Sequence, residues 1–385
     1  MERPSNIDLS NWRQPPGNRW SFQNVPKIVA SESLQAAPVA SALVNASKLL
    51  DQIRFNGADD TEWTLSDLMI RSSADAFCVA HEGELIHEWY APHYDPENPH
   101  IVFSVSKSIS ALLAGPVVES GKLDVNAEVC RYIPELEGSV YADCSVQHVL
   151  DMTVSTTFEE DYTSEDCDFV QYRKATGWHP MRDGETSMGL HAYLATLKKG
   201  QDPHGLRFRY RSPNSDLLGW IIERAAGESL VGLLQNGLWT PMGAENAGVI
   251  SVDPFGAPRS AGGICATARD LVRIGEIMCN RGNYNGQQII PEFWVDDCIE
   301  NGDVEAWKRG DFCLFLPSGR YRNKWYRTNA STRAISAIGI HGQWIYVDPD
   351  KSLVVAKLSS QPVPVDEPMD VATLRAFEAI GDALN

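Results

Sequence analysis

Ser104 and Lys107 stand three residues apart in Phe103-Ser-Val-Ser-Lys-Ser108, just ahead of an apolar helical pattern. On a helix, that spacing puts both side chains on one face. A serine hydroxyl is a weak nucleophile until a base takes its proton. A lysine amine can be that base where burial or nearby positive charge lowers its pKa. A serine at a helix start also gains from the N-terminal dipole, and its N–H can face a developing oxyanion. The implied chemistry is acyl transfer through a covalent ester on serine. The motif is short enough to arise by chance, and its bland alternative is a helix-capping serine. Ser104 is, however, the only serine that stands three residues before a lysine.

The elements that must position this pair can be read around it. Ile109, Leu112, Leu113 and Val117 recur at helical spacing, which predicts a helix over 105–120 stopped at Gly121 and kinked or ended early by Pro116. Residues 77–86 read as strand, turn and strand with Glu82-Gly83 at the tip, and 95–100 as a loop. Trp344–Val347 and Leu353–Leu358 flank Asp348-Pro-Asp-Lys351, a hairpin signal. Helices are predicted over 40–51, 268–279 and 369–384, and mainly helices and loops over 123–248. The order suggests an α/β (α+β) domain around an antiparallel sheet, formed by 31–122 and 249–385. A mainly helical domain, 123–248, is inserted in it, and residues 1–30 form an irregular arm over the surface.

Bulk properties narrow the function. The chain has 385 residues and a net charge of −18, which argues against nucleic-acid binding. The acidity reads as solubility rather than as steering of a cationic substrate. No stretch is apolar enough to span a bilayer, and Met1–Trp20 lacks the apolar core of an export signal, so a cytoplasmic location is expected. The eight cysteines form no CxxC pair and read as free thiols. Nine histidines without HExxH or clustered spacing argue against a metallohydrolase, and no metal or organic cofactor is implied.

Downstream of Ser104 come Glu119-Ser-Gly-Lys-Leu-Asp124, Tyr132-Ile-Pro-Glu-Leu136 and Val146-Gln-His-Val-Leu150. Trp12-Arg-Gln-Pro-Pro, Glu160-Asp-Tyr162, Gly177-Trp178, Gly262-Gly263 and Gly339-Ile-His-Gly-Gln343 extend the pattern over nearly the whole chain. This succession resembles the serine β-lactamase, D-aminopeptidase and class C-like esterase superfamily. Within it, the chain is most similar to the 6-aminohexanoate-dimer hydrolases, which cleave linear amides and also esters. The resemblance implies a β-lactamase/transpeptidase-like fold.

It also implies a tyrosine beside the lysine. Tyr210, in Phe208-Arg-Tyr-Arg-Ser212-Pro-Asn214, fits by position, with Ser212 where many relatives have Asn. Tyr321-Arg-Asn323 matches the letters better but lies far downstream and reads as chance. The resemblance further implies that the Ile340 N–H joins that of Ser104 as an oxyanion hole. In place of Lys-Thr-Gly the chain has Gly339-Ile-His341, so the lysine that helps hold a β-lactam carboxylate is absent. His341 reads either as an orienting residue or as structural. Tyr162, Trp178 and Trp325 correspond to substrate-contacting residues.

Two departures matter. Arg173 stands where amide-cleaving relatives hold a substrate amine with Asp, and Ala261 where they have a polar residue. Arg173 is either a solvated loop charge or a pocket residue that repels an ammonium. The expected activity is hydrolysis of carboxylic esters or linear amides by Ser104, Lys107 and Tyr210, acting on a small molecule, with a homodimer as the default assembly. The alternatives are β-lactamase or D-amino-acid peptidase activity, or a non-catalytic ligand receptor.

Overall fold

The apolar runs beside Asp348-Pro-Asp-Lys351 pair antiparallel, Gln343–Asp348 against Leu353–Ser359, and Ala74–His81 pairs with the other edge of the latter. All residues of Ala74–His81 and Leu353–Ser359 are buried. Because side chains alternate across a strand, Cys78, Ala80, Val354 and Ala356 enter one core, and Phe77, Val79, Leu353 and Val355 enter another. Covered on both faces, these strands read as near-continuous apolar runs. In this computed structural model, which describes residues 3–46, 48, 50–162, 164 and 167–384, they lie in an eight-stranded sheet. Its order is Arg320–Arg322, Trp325–Arg327, Ile335–Gly339, Gln343–Asp348, Leu353–Ser359, Ala74–His81, Glu84–Tyr90 and Val44–Asn45. Neighbours run antiparallel except the last pair. The fold is therefore mixed α/β with an antiparallel-dominated sheet.

Helix Ala268–Cys279 covers one face and helix Glu367–Leu384 the other, where the Phe377 ring meets those of Phe77, Trp344 and Tyr346. Thr267 caps the first helix by accepting the Asp270 N–H. Its Gly275 lets it lie hard against Val354: a Cβ there would sit 2.3 Å from Val354 Cγ1 and 3.4 Å from Ile345 Cγ2. Alanine normally favours a helix over glycine by about 1 kcal/mol. Here the overlap outweighs that gain, and Gly275→Ala is expected to destabilise the protein by about 1–3 kcal/mol in thermal or urea unfolding.

A smaller sheet orders Ser31–Leu34, Gly248–Ser251, Ile264–Ala266 and His100–Ile101. Its last strand leads directly into Ser104, so the two sheets and the nucleophile's helix meet there. Helix Ser212–Ala226 packs on the nucleophile's helix, Leu190–Thr196 and Leu230–Leu234 pack on Ser212–Ala226, and Asp168–Ala175 packs on Leu190–Thr196.

Some expectations need correction. The 105–120 helix breaks at Leu113 into Val105–Leu112 and Ala114–Glu119, with Pro116 inside the second. The 40–51 helix is absent from the described residues, and Ser47 and Leu49 lie outside them. Val44–Asn45 instead pairs with the free edge of Glu84–Leu85 while Leu43 and Leu50 are buried, so edge pairing overrides local helical preference. The N-terminal segment does more than wrap the surface: Trp12, Phe22, Val25 and Val29 are buried with Phe103 and Trp178. All eight cysteines are free. No described helix is long and apolar enough to cross a membrane.

Candidate active site

The nucleophile's helix is anchored by its own serines. Ser106 Oγ accepts the Ile264 N–H at 3.0 Å, and Ser108 Oγ donates to the Lys324 carbonyl at 2.7 Å. Every residue of Val105–Leu112 is buried. Ser104 caps nothing with its side chain, which removes the bland reading of this serine. Instead Lys107 Nζ donates to Ser104 Oγ at 2.8 Å and to the Ala261 carbonyl at 2.6 Å. Burial lowers the Lys107 pKa to about 8; Arg259 adds to the fall, and Glu160 and Asp216 oppose it.

Tyr210 comes from the segment before helix Ser212–Ala226, held by its N–H to Asp311 at 2.9 Å. Lys107 Nζ lies 5.1 Å from its ring centroid, and the Ser104 and Tyr326 hydroxyls are hydrogen-bonding neighbours of its phenol. Burial, then the Glu160 carboxylate, raises the Tyr210 pKa, so the phenol is protonated at neutral pH. Glu160 caps the following helix by accepting from the Ser212 N–H and, at 2.6 Å, from Ser212 Oγ. It also accepts from Tyr162 at 2.6 Å, and so fixes Tyr162, Ser212 and the approach to Tyr210 together.

Ser104 and Ile340 line the same cavities. Gly339 packs against the nucleophile's backbone: a Cβ on it would be 2.6 Å from the Val102 carbonyl and 3.2 Å from the Ser104 nitrogen. Phe103 (φ +43°) and His341 (φ +60°), each next to one of these N–H groups, hold left-handed conformations uncommon for such residues. Strain of this kind collects where backbone must be aimed.

Ser104 sits between two spaces of different character. One, of about 120 Å³, is largely apolar, with Phe312, Phe315, Tyr326, Ile338 and Val365 in its wall and Glu367 and Asp370 beside them. The other, tight at about 20 Å³, is lined by Tyr162, Arg173, Trp178, Ser212 and Ala261, all expected at the site. Arg173 is therefore not a solvated loop charge; it lies buried on helix Asp168–Ala175.

Two expected residues are elsewhere. Trp325 is fully buried in the main core and lines neither space; its strand neighbour Tyr326 takes the wall, because adjacent residues face opposite sides. His341 also lines neither space. Its Nδ1 is paired with the Gln361 carbonyl at 2.7 Å, and burial lowers its pKa to about 4. Tyr321 and Asn323 lie outside both spaces as well. Sequence reasoning missed Arg13, Arg259, Glu160, Asp216 and Tyr326. Asp216 accepts the Ala261 N–H at 2.7 Å and the Tyr172 hydroxyl, and so holds the carbonyl-bearing segment that binds Lys107.

Residues 64–379 match the family model described as Beta-lactamase. The chain is 33% identical over 359 residues to a 6-aminohexanoate-dimer hydrolase of Paenarthrobacter ureafaciens, covering 92% of this chain and 88% of that protein. Its fold is similar to that of a provisionally named 6-aminohexanoate-dimer hydrolase of Bacillus anthracis (TM-score 0.91, 24% identity, 100% and 98% of the two chains). It is also similar to a hydrolase with promiscuous acyltransferase activity (TM-score 0.62, 18% identity, 81% and 95%).

Proposed function

The chain belongs to the beta-lactamase family, and from that premise we propose that it is a serine hydrolase cleaving carboxylic esters or linear amides through an acyl-enzyme on Ser104. The observation that carries this reading is the 2.8 Å contact between Lys107 Nζ and Ser104 Oγ in a buried setting. Neutral Lys107 takes the Ser104 proton as Oγ bonds to the substrate carbonyl carbon. The oxyanion that forms is held by the Ser104 and Ile340 N–H groups. Tyr210, a protonated phenol, donates its proton to the leaving alcohol or amine and is reprotonated from Lys107. The C–O or C–N bond breaks, and the acyl group stays on Ser104. Water then adds to the ester carbon with the same groups in reverse roles, releasing the acid and restoring the serine.

This assignment of base and acid follows from the opposite pKa shifts of the two groups, the amine brought down towards neutrality and the phenol pushed up. The amide reading leans on the relative named for a linear amide, and the ester reading on the apolar space beside Ser104. Labelling the intact protein with a fluorophosphonate, followed by peptide mass spectrometry, tests the nucleophile. The expected result is one adduct on the Ser104 peptide. A protein that takes up no label, or takes it up on another serine, is not acting through Ser104, and the former outcome favours a ligand receptor.

A further inference from the structure

Four arginines of the described chain are buried. Two have partners: Arg273 is held by Asp270, Glu245 and the Ser41 carbonyl, and Arg327 by the Thr332 and Ile299 carbonyls. The other two, Arg173 (7% exposed) and Arg259 (4%), have no ion pair among the described residues. Arg173 Nε and Arg259 Nε and Nη1 are buried without a hydrogen-bond partner. Both line the tight space of about 20 Å³ beside Ser104, as does Arg13 from the N-terminal segment.

Aromatic faces fix their positions. The Arg259 guanidinium lies 4.2 Å from the Trp178 ring centroid and 4.7 Å from that of Tyr172, and the Arg173 guanidinium lies 5.1 Å from that of Phe169. No carboxylate is in the described lining. The nearby Asp216 is committed to the Ala261 N–H and Tyr172, and Glu160 to Ser212 and Tyr162. Mutual repulsion is visible in Arg13: burial, then Arg173 and Arg259, lower its pKa to about 9. Buried guanidinium donors without acceptors are costly unless a ligand supplies the acceptor. An acidic chain that gathers three cations at one pocket is concentrating positive potential there.

We propose that this space is an anion subsite, and that the substrate is an ester or amide bearing a carboxylate on one flank of the scissile bond, with an apolar group on the other. The carboxylate lies against Arg173 and Arg259, with Arg13 closing over it, and Ser104 reaches the carbonyl between this space and the apolar one. A planar carboxylate suits guanidinium forks, which bind it bidentately. The inference rests on the hydrolase reading above for what happens at Ser104, but not for the binding of the anion. A substrate that brings an ammonium to this space is disfavoured.

The test compares kcat/KM of the whole protein on matched esters. Mono-p-nitrophenyl glutarate and adipate carry the charge on the acyl side, and 3-acetoxybenzoate carries it on the leaving side. p-Nitrophenyl valerate and phenyl acetate are the neutral references, and p-nitrophenyl 6-aminohexanoate is the cationic one. One anionic arm is expected to exceed its neutral reference by on the order of tenfold or more, with the cationic ester slowest. The anionic-to-neutral ratio should fall by about the same factor in Arg173→Gln and Arg259→Lys, and with added salt. Neutral esters turned over as well as both anionic arms would overturn the subsite and leave the hydrolase reading standing. If no ester is turned over, calorimetry of the intact protein with glutarate decides: binding that weakens in Arg173→Gln keeps the subsite while the hydrolase reading falls, and no binding overturns the subsite too.

Discussion

Ser104→Ala is expected to lower kcat/KM for short-chain p-nitrophenyl esters by at least about a thousandfold, a loss of about 4 kcal/mol of transition-state stabilisation. The other nucleophilic groups of the site are committed elsewhere, Ser212 Oγ as a donor to Glu160. Lys107 is committed to Ser104 and the Ala261 carbonyl, and Tyr210 is held protonated. The residual rate should come from the proposed oxyanion-binding N–H groups and from positioning alone. The substitution removes one oxygen at a site 8% exposed and leaves the helix anchors at Ser106 and Ser108 in place, so the melting temperature should change by no more than a few degrees. A folded Ser104→Ala protein whose turnover matches wild type would exclude the acyl-enzyme. Turnover near background with an unchanged unfolding curve separates loss of chemistry from loss of fold.

Local sequence carries some of this site and not the rest, for physical reasons. The Ser104–Lys107 pair is one turn of one helix, so its contact follows from spacing alone. The central strands are legible because residues such as Cys78 and Phe77 are apolar on both faces. Tyr210 could be placed by resemblance, and it does reach Lys107, although 103 residues separate them in the chain. Resemblance failed at Trp325, where a shift of one residue along a strand moves a side chain to the opposite face; only the pairing register settles that Tyr326 is the wall. The arginine cluster was illegible for another reason. Arg13, Arg173 and Arg259 come from a turn, a helix and a loop far apart in the chain, and each alone looks like an ordinary surface charge. Only the buried nitrogens of Arg173 and Arg259 without hydrogen-bond partners, which are a property of packing, mark the cluster out.

The kcat/KM of the wild-type protein should rise with pH along a limb with an apparent pKa of about 8, set by Lys107. The sign follows from the role. The neutral amine has the lone pair that accepts the Ser104 proton, and the ammonium does not, so the rate falls about tenfold per pH unit well below the pKa and levels off above it. Lys107→Met, which keeps the length and apolar stem, should cut kcat/KM by about a thousandfold and abolish the limb. Lys107→Arg should not rescue activity, because a guanidinium stays charged.

In Lys107→Met, stability should move opposite to activity. Burial makes the folded pKa of Lys107, about 8, lower than the 10.5 ordinary for a lysine. The unfolded chain thus binds the proton more tightly, and stability rises with pH between those values. Below pH 8 the buried ammonium costs the fold on the order of 3 kcal/mol. Lys107→Met removes that cost, and at pH 7 it should unfold at or above the wild-type temperature while being nearly inactive. A pH–rate limb unchanged in Lys107→Met would assign it to another group. A variant that is both inactive and much less stable would mean that Lys107 serves mainly to hold the helix against Ala261.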